Sequence, residues 1–510
     1  MTKQIEQVRN PAEPEVTPDA RAVRLVFGGL LLTMFVAALD QTIMATALPT
    51  IAGELGGLSQ LTWVVTVYVL AAAALTPIWG KVSDLFGRKG LLRAAILVFL
   101  AGSALSGVAQ NIPELIAFRA LQGAGAGGVM TLAMATVGDI VSPRERGRYQ
   151  GYIQSVFVLA SVAGPLLGGL FVDHLSWRWV FYVNLPIGAV ALALLNRQPS
   201  NAAQRPAARI DFLGAALLAA TVSTSLLVTV WGGDRYPWTS PQIIGIALGA
   251  AVLLTAFVCQ ERRATDPVLP LRLFRDRVFV VVSVAAFLAT LSLFAAIVFM
   301  PLFLQIVTGA TATVSGLLVL PMLIASTLST VVAGRIMTRT GRYKIFPVLG
   351  FALMSVGLAV LATLGSASGR GTALAFMAVF GLGFGMTTQI LVVAIQNAAD
   401  RREIGTATAS ANLFRALGGS VGVAIYGAVF SAGLRHWLPI RLPASTSARI
   451  DAHGLQASPD QIRGLPGAAR DGIAQAVADS LHTVFLVAAP IAVIGFAVVL
   501  MLRELPLRGR

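Results

Sequence analysis

The dominant pattern along the chain is a series of apolar runs of about 20 residues, separated by short polar turns. A run of that length crosses a hydrocarbon core of about 30 Å as an α-helix, and in lipid the helix satisfies its own backbone polar groups. Each run is therefore predicted to be a transmembrane helix, called a span below. Fourteen spans begin near Leu25, Leu61, Leu91, Glu114, Arg148, Val180, Asp211, Pro241, Val278, Val314, Ile345, Gly371, Gly405 and Leu481. The predicted fold class is an all-α integral membrane protein.

The composition agrees with this prediction. Of 510 residues, 56% are hydrophobic and 12% are charged, whereas a soluble domain carries about 25% charged residues. A water-soluble protein is therefore excluded. The single cysteine, Cys259, excludes an intramolecular disulfide, and the four histidines show no spacing typical of metal ligands. We expect no metal ion and no cofactor.

The basic residues indicate the orientation of the chain in the membrane. Most of the 38 Lys and Arg residues lie in the two tails or in connections from even-numbered to odd-numbered spans. Short loops rich in Lys and Arg remain in the cytoplasm, so we expect a plasma (inner) membrane protein with cytoplasmic tails at 1–24 and 503–510. The net charge of +15 then reflects topology, and the partner that it indicates is the lipid bilayer, with no nucleic acid.

An internal repeat relates the two halves of the chain. Glycines and charged residues after span 2, in span 4 and in or just before span 5 are matched at the same mutual spacings after span 10, in span 12 and in span 13. The matching pairs are Gly80 and Gly334, Asp84 and Thr338, Gly87 and Gly341, Arg88 and Arg342, Gly123 and Gly381, Gly125 and Gly383, Gly127 and Gly385, Gly147 and Gly405, and Gly164 and Gly422. Transporters built from repeats bind substrate near the midplane and move one repeat against the other.

The repeat predicts a domain organisation with pseudo-two-fold symmetry. Residues 25–197 form a first six-helix bundle, and residues 278–502 form a second one that includes an outer loop at about 434–480. Residues 198–277 hold spans 7 and 8, which have no counterpart in the repeat. We expect these two spans to lie outside both bundles and to contribute nothing to the substrate cavity.

Four motifs carry a resemblance to a known family. They are Asp40-Gln41-Thr42 in span 1, Gly80 to Gly90 after span 2, Arg119-Ala120-Leu121-Gln122-Gly123 in span 4, and Gly164-Pro165-Leu166-Leu167-Gly168-Gly169 in span 5. With these motifs the chain resembles the fourteen-span drug/proton antiporter branch of the major facilitator superfamily over nearly its whole length. Ala160 stands where that branch usually has a further glycine.

The resemblance implies a proton-coupled secondary exporter of amphipathic drugs or toxic small molecules, acting as a monomer. The alternative is an exporter of one defined solute, such as a lipid, a siderophore or a metabolite. No phosphate-binding loop of the form G-x-x-x-x-G-K-[ST] and no nucleophile with a neighbouring base is present in the sequence. We therefore expect neither ATP-driven transport nor an enzyme.

The turn from Gly80 to Gly90 is a candidate conformational latch. Its glycines allow two helices to approach closely, and Asp84 is placed to cap a helix or to form a salt bridge across the turn. The resemblance implies a latch of the outward-open state formed by Gly80, Asp84, Gly87, Arg88 and Asp139. The alternative is that these charges only set the topology.

Span 5 carries the antiporter motif Gly164, Pro165, Gly168 and Gly169. Proline removes one backbone donor, and the glycines present a helix surface almost without side chains. We interpret this helix as a hinge and a seal between the bundles that prevents proton leakage. Ordinary packing of small residues is the alternative.

Asp40 and Arg119 are ionisable residues inside spans, where each costs about 2.5–3.5 kcal/mol and marks a functional or paired site. Counting 1.5 Å per residue from the span ends places both at the same depth, so they can meet. A carboxylate whose proton affinity depends on a movable arginine is a workable proton carrier. A permanent structural ion pair is the alternative.

Further polar and aromatic residues are candidates for the substrate cavity. Arg415 lies near the midplane in span 13, where it either faces the cavity and favours anionic or carbonyl-bearing substrates, or binds backbone carbonyls of a neighbouring helix. The other candidates are Tyr68, Gln122, Gln154, Phe303, Gln305, Gln389 and Asn412. For each of these, plain helix packing is the alternative.

Overall fold

The structure of the protein is a computed structural model. It describes residues 20–55, 61–141, 145–196, 211–233, 235–310, 312–400, 403–442 and 467–507. Most of the predicted N-terminal tail, the linker before span 7, the middle of the predicted outer loop and the end of the C-terminal tail lie outside these residues.

The described chain is helical, with the first bundle, the inserted pair and the second bundle following each other along the sequence. The first bundle consists of α1 (Ala20–Leu55), α2 (Leu61–Phe86), α3 (Arg88–Val108), α4 (Ile112–Ile140), α5 (Arg146–His174), α6 (Trp179–Tyr182) and α7 (Asn184–Asn196). The inserted pair is α8 (Phe212–Trp231) and α9 (Pro241–Arg263). The second bundle consists of α10 (Arg277–Ile306), α11 (Ala312–Leu318), α12 (Leu320–Thr340), α13 (Ile345–Ala362), α14 (Arg370–Ala398), α15 (Ile404–Arg441) and α16 (Gly467–Leu500).

Fourteen helical segments of the described chain are long and apolar enough to cross a membrane, which confirms the predicted spans. Span 6 is built from α6 and α7, and span 10 from α11 and α12. Pro186 and Pro321 stand near the start of the second piece in these two spans. A proline lacks the N–H needed inside a continuous helix, which is consistent with the interruption at both places.

The segment predicted as an outer loop, at about 434–480, is helical at both of its described ends. Helix α15 continues to Arg441, and α16 already begins at Gly467. The two extensions pack together through an ion pair of 2.8 Å between Arg441 and Asp479. Charged residues lower the hydropathy of these helical ends, so an apolar-run criterion stops before the helix does.

The internal repeat is visible in equivalent helix contacts. In the first bundle, a Cβ on Gly123 would overlap the carbonyl oxygen of Tyr68 on α2. In the second bundle, a Cβ on Gly381 would overlap the carbonyl oxygen of Met322 on α12. The packing of α3 on α4 in the first bundle corresponds to that of α13 on α14 in the second. The packing of α1 on α5 corresponds to that of α10 on α15. Gly123 and Gly381 are thus corresponding sites of close backbone approach.

The two bundles meet mainly along two helix pairs. Helix α2 packs against α15 on one side, and α5 packs against α12 on the other. We call the end that holds the turns at Gly87, Val141, Gly341 and Ala399 the basic end. Near it, Gly80 on α2 lies directly against Gly405 and Ala409 on α15. The bundles are therefore in close contact at the basic end.

The inserted helices lie beside the bundles, and only α8 is strongly attached to them. Leu218, Val222 and Leu226 of α8 join one apolar cluster with Leu70 of α2 and Leu413 of α15. Helix α9 packs mainly on α8 and leaves large apolar side chains exposed at Ile244, Leu248, Val252 and Leu254. Helix α8 thus covers the line where α2 meets α15 and contacts both bundles.

Candidate functional site

Asp40 and Arg119 form a fully buried ion pair inside the first bundle. Asp40 lies on α1 and is 0% exposed, and Arg119 lies on α4 and is 1% exposed. The distance between Asp40 Oδ2 and Arg119 Nη1 is 2.6 Å. The two residues predicted from span depths to lie at one level are therefore in direct contact.

Three amide and hydroxyl groups complete the surroundings of Asp40. Gln122 donates to Asp40 Oδ1 at 2.7 Å, and Asn184 donates to the same oxygen at 3.0 Å. Both amides also donate to the hydroxyl of Ser103, which in turn donates to the carbonyl oxygen of Phe181. The carboxylate is thus held by side chains from α4 and α7, with Ser103 of α3 behind them.

Arg119 is held from its other side by an aromatic ring and by oxygen acceptors. Its guanidinium carbon lies 4.2 Å from the ring centroid of Tyr68, a geometry that favours a cation. Gln122 Oε1 accepts from Nη1 at 2.8 Å, and the carbonyl oxygen of Val64 accepts from Nε at 3.4 Å. Tyr68 and Gln122, expected in the substrate cavity, are 1% and 0% exposed. In this conformation they belong to the ion-pair network.

The network has the parts needed to bind and release a proton. An ionised carboxylate accepts hydrogen bonds only, whereas a protonated one carries a donor and loses its charge. Protonation of Asp40 would therefore remove the counter-ion of Arg119 and require the donors around Asp40 Oδ1 and Oδ2 to rearrange. Because all of these groups are buried, the charge change would act on the packing of α1, α4 and α7.

The predicted latch residues come together at the basic end. Arg88 lies 3.2 Å from Asp84 and 2.9 Å from Asp139, so one guanidinium bridges α2 and α4. Gly87 has a φ of 91°, which a residue with a side chain rarely adopts, and it permits the sharp turn between α2 and α3. Gly80, as described above, allows α15 to approach α2.

Asp84 also reaches across to the second bundle, which the sequence did not predict. The backbone N–H groups of Gly405 and Thr406 donate to its carboxylate at 3.0 and 2.7 Å, and the Thr406 hydroxyl donates at 2.8 Å. Asp84 therefore caps the N-terminus of α15, where the helix dipole favours a negative charge.

The glycines of the antiporter motif pack within the first bundle. A Cβ on Gly164 would overlap the Thr42 hydroxyl of α1, and a Cβ on Gly168 would overlap the Thr46 hydroxyl. Pro165 is exposed, and a Cβ on Gly169 would meet nothing within 4 Å. The expected seal between bundles is not made by these glycines in this structure, because their contacts are with α1. The Thr42 hydroxyl also donates to the carbonyl oxygen of Ala160 at 2.9 Å.

The remaining cavity candidates divide into two groups. Gln389 donates to Gln154 at 3.1 Å across the boundary between the bundles, and the Asn412 amide lies 3.9 Å from the sulfur of Met134 on α4. Phe303, in contrast, is 1% exposed in the core of the second bundle. Gln305 donates to Ser315 near the outer end of α10 and so joins α10 to α11.

Arg415 lies about a third of the way along α15, with a buried Nη1 that has no hydrogen-bond partner. Contact with backbone carbonyls, the alternative left open by the sequence, is not observed among the described residues. The structure thus brings Gln154, Gln389 and Asn412 to the boundary between the bundles, and it buries Tyr68, Gln122 and Phe303 elsewhere.

The contacts of the candidate site that sequence reasoning missed are made by uncharged polar side chains. Ser103 and Asn184 contact the ion-pair network, and Thr406 holds Asp84. Gln396 joins α14 to Thr408 of α15 and to the carbonyl oxygen of Met134. A polar residue inside an apolar span is a weak signal by itself, and only the contacts distinguish these four. Among the described residues, no cluster of three or more His, Cys, Asp or Glu side chains forms a metal site.

Two pseudo-symmetric helical bundles that pack against each other, with an ionisable pair buried in one of them, are the architecture of a membrane transporter. The family model described as Major Facilitator Superfamily matches residues 30–423. The chain belongs to the major facilitator superfamily. Its members carry small molecules across membranes, and the protein is accordingly a transporter and not an enzyme.

Curated relatives are similar over most of the chain. The multidrug transporter protein MdtP of Bacillus subtilis (strain 168) is 35% identical over 509 residues, which cover 95% of this chain and 94% of that protein. An uncharacterized MFS-type transporter of Mycobacterium tuberculosis (strain ATCC 25618 / H37Rv) is 39% identical over 495 residues, covering 97% and 71%. The proton:xylose symporter XylE superposes with a TM-score of 0.62 at 13% identity, covering 95% of this chain and 96% of that one, and shows the same fold.

Proposed function

We propose that this protein is a proton-coupled exporter that exchanges protons for amphipathic small molecules by alternating access. The single observation that carries this proposal is the buried pair of Asp40 and Arg119. A carboxylate enclosed in a transmembrane bundle is costly unless it is paired, and such residues mark ion and proton pathways. We further propose that the protein acts as a monomer in the plasma membrane with both termini in the cytoplasm, as the basic loops indicate.

The proton step takes place at Asp40. Protonation removes the negative charge opposite Arg119 and frees the guanidinium from its 2.6 Å contact. On the same helix, Thr42 is hydrogen-bonded to Ala160 of α5, and α5 packs against α12 of the second bundle. A shift of α1 is therefore transmitted through one helix to the boundary between the bundles.

The latch step takes place at the basic end. While Asp84 caps α15, the bundles are held together on the side that we assign to the cytoplasm. Substrate bound between the bundles is then open to the other side of the membrane. Release of Asp84 from Gly405 and Thr406 is the event that admits substrate from the cytoplasm.

The proposed breadth of substrates rests on similarity to relatives that are named for multidrug transport or resistance. The Bacillus subtilis relative MdtP is named a multidrug transporter, and Multidrug resistance protein 3 of the same strain is 35% identical over 413 residues, covering 81% of this chain and 80% of that protein. The alternative, export of one defined solute, predicts that a single compound is moved.

The proposal is tested in proteoliposomes that contain purified protein and a trapped pH dye. Addition of a transported compound should cause a proton flux, and an imposed pH gradient should drive accumulation of that compound. Asp40→Asn should reduce gradient-driven accumulation to the level of empty liposomes, because it cannot ionise. Asp173→Asn, which removes an exposed carboxylate from the outer end of α5, is the matched control and should retain transport.

The outcome separates the two functions. Several unrelated amphipathic compounds moved by the same protein support the multidrug exporter, whereas a single active compound supports the defined-solute exporter. An Asp40→Asn variant that concentrates substrate as well as the parent would show that Asp40 does not couple protons.

A further inference from the structure

Arg415 is an unpaired cation at mid-membrane depth. It follows Ile404, the first residue of α15, by eleven residues, which places it about 16 Å along a helix that rises 1.5 Å per residue. In the part of the chain that the structure describes, no hydrogen bond and no ion pair reaches its side chain, and Nη1 is buried. Because a mid-membrane arginine is costly unless it is paired, this one calls for a partner that comes from outside the chain.

The register of α14 and α15 places Gln389 of α14 at the same depth as Arg415. Thr408 of α15 accepts a hydrogen bond from Gln396 of α14 at 3.2 Å. Arg415 follows Thr408 by seven residues, and Gln389 precedes Gln396 by seven residues. Seven residues are nearly two helical turns, and the helices run antiparallel. Arg415 and Gln389 therefore lie at one depth, on the helix faces that carry the bonded pair.

Gln389 also has an unsatisfied atom. Its amide nitrogen donates to Gln154 of α5, while its Oε1 is buried without a hydrogen-bond partner. Gln154 follows Arg146, the first residue of α5, by eight residues, or about 12 Å. Polar groups from α5, α14 and α15 thus converge near the midplane at the boundary between the bundles.

The charge at this level is positive and uncompensated. The only acidic residue deep in a span of the first bundle, Asp40, is already paired with Arg119. Helices α10 to α15 of the second bundle contain no Asp or Glu. At the position in α5 that corresponds to Arg415 in the repeat, the first bundle has the uncharged Phe157. A cationic substrate would therefore meet one positive charge and no free carboxylate.

Apolar side chains lie on both sides of Arg415 along the helix. One turn before it, Asn412 lies beside the sulfur of Met134, and one turn after it, Gly419 packs against the ring of Phe294. An amphipathic molecule can place its apolar part on these side chains while its charged end reaches the guanidinium.

We propose that Arg415 binds the anionic group of the substrate, so that the transported compounds are anionic amphiphiles carrying a carboxylate, sulfonate or phosphate. This inference rests on the proposed function, since it assumes that substrate occupies the space between the bundles. A guanidinium donates two parallel hydrogen bonds to such a group, which gives geometric specificity as well as affinity.

The test uses three compounds with the same apolar scaffold. These are 4-(1-naphthyl)butanoate, 4-(1-naphthyl)butanamide and 4-(1-naphthyl)butyltrimethylammonium, each titrated calorimetrically into the full chain in nanodiscs of zwitterionic lipid. The wild-type protein should bind the butanoate at least about tenfold more tightly than the other two. Arg415→Gln should remove this preference and leave binding of the amide unchanged, and Arg415→Lys should keep part of it.

Arg435→Gln is the matched control, because it removes an exposed arginine from the outer part of the same helix. It should retain the full preference for the butanoate. Wild-type protein that binds none of the compounds, that prefers the ammonium compound, or that binds all three equally would overturn the proposal, whether or not the variants fold. Unchanged butanoate affinity in Arg415→Gln would overturn it as well. Competition by phosphatidylglycerol added to the nanodiscs would assign the site to a lipid head group instead of a substrate.

The binding measurement uses no pH gradient, so it is independent of the proton-coupling assay. A butanoate preference that depends on Arg415, together with absent proton-driven transport, would reject the proposed coupling and retain the anion site. Intact coupling without that preference would reject only the anion site.

Discussion

The carboxylate of Asp84 accepts a hydrogen bond of 2.7 Å from the backbone N–H of Thr406. This contact joins the last turn of α2 to the first turn of α15, and so joins one bundle to the other. At the corresponding place in the repeat, the Thr338 hydroxyl donates to the carbonyl oxygen of Gly334 in its own helix. The two pseudo-symmetric contacts at the basic end are therefore chemically different. Of these two, only Asp84 caps a helix of the other bundle with a charged group.

Removal of the Asp84 carboxylate should open the basic end. Asp84→Ala leaves the N-terminus of α15 uncapped, which costs about 0.5–2 kcal/mol and shifts the ratio of closed to open molecules by about 2- to 30-fold. Electron-spin distances between labels at Phe86 and Ile345, in a Cys259→Ser background, should lengthen. Thr338→Ala is the matched control and should leave them unchanged. Equal distances in wild type and Asp84→Ala would mean that the cap does not hold the bundles together.

The stability of the protein should depend on both charges of the buried pair Asp40 and Arg119. Arg119→Gln leaves a buried carboxylate without its counter-ion, which costs about 3–5 kcal/mol. The double variant Asp40→Asn/Arg119→Gln removes both charges and should recover most of the lost thermal stability. Melting temperatures of the purified wild type, both single variants and the double variant measure this coupling. A double variant no more stable than Arg119→Gln would indicate that the charges do not interact.

The two corresponding glycines Gly123 and Gly381 should not tolerate a side chain. Gly123→Ala and Gly381→Ala each place a methyl group against a backbone carbonyl of the adjacent helix, and overpacking of this kind costs about 1–3 kcal/mol. Both variants should lower the melting temperature and the yield of monodisperse protein. Gly169→Ala, where a Cβ meets nothing within 4 Å, should behave as the wild type. Similar melting temperatures for all three variants would refute close packing at these sites.

Glu261 should fix the linker that leads from α9 to α10. It is 4% exposed, and its Oε1 accepts from the backbone N–H groups of Val268 and Leu269 at 3.1 and 3.4 Å. Glu261→Ala leaves two donors unsatisfied, at about 1–3 kcal/mol each, so trypsin should cleave after Arg262 and Arg263 about tenfold faster or more. Thr255→Ala, exposed on the same helix, is the control. Equal cleavage rates would show that Glu261 does not hold the linker.

Much of the fold follows from the sequence because the membrane imposes strong local rules. An apolar run of the right length has to be a helix in lipid, so the fourteen spans could be counted without a structure. The repeat of glycines likewise predicted two related bundles, and Gly123 and Gly381 indeed make corresponding close contacts with a neighbouring helix. Helix ends were less predictable, as α16 shows, because helices continue into water where charged residues are tolerated.

The candidate site was predictable only in its charged members. Asp40 and Arg119 stand out because charges inside spans are rare, and helical rise alone placed them at one depth. Ser103 and Asn184, which complete the network, carry no such signal, since hydroxyl and amide groups also occur in spans as ordinary contacts between helices.

The sequence by itself determined which segments cross the membrane, that the halves are related, and which ionisable residues lie inside the bundles. The tertiary structure decided which helix faces meet. Only the structure shows that Asp84 reaches Thr406 in the other bundle and that Gly164 packs on α1. It also shows that α8 contacts both bundles and that Arg415 has no partner among the described residues. The physical reason is that transfer into lipid depends on each segment alone. Contact between helices depends on the rotation and crossing of several segments at once, which no local pattern encodes.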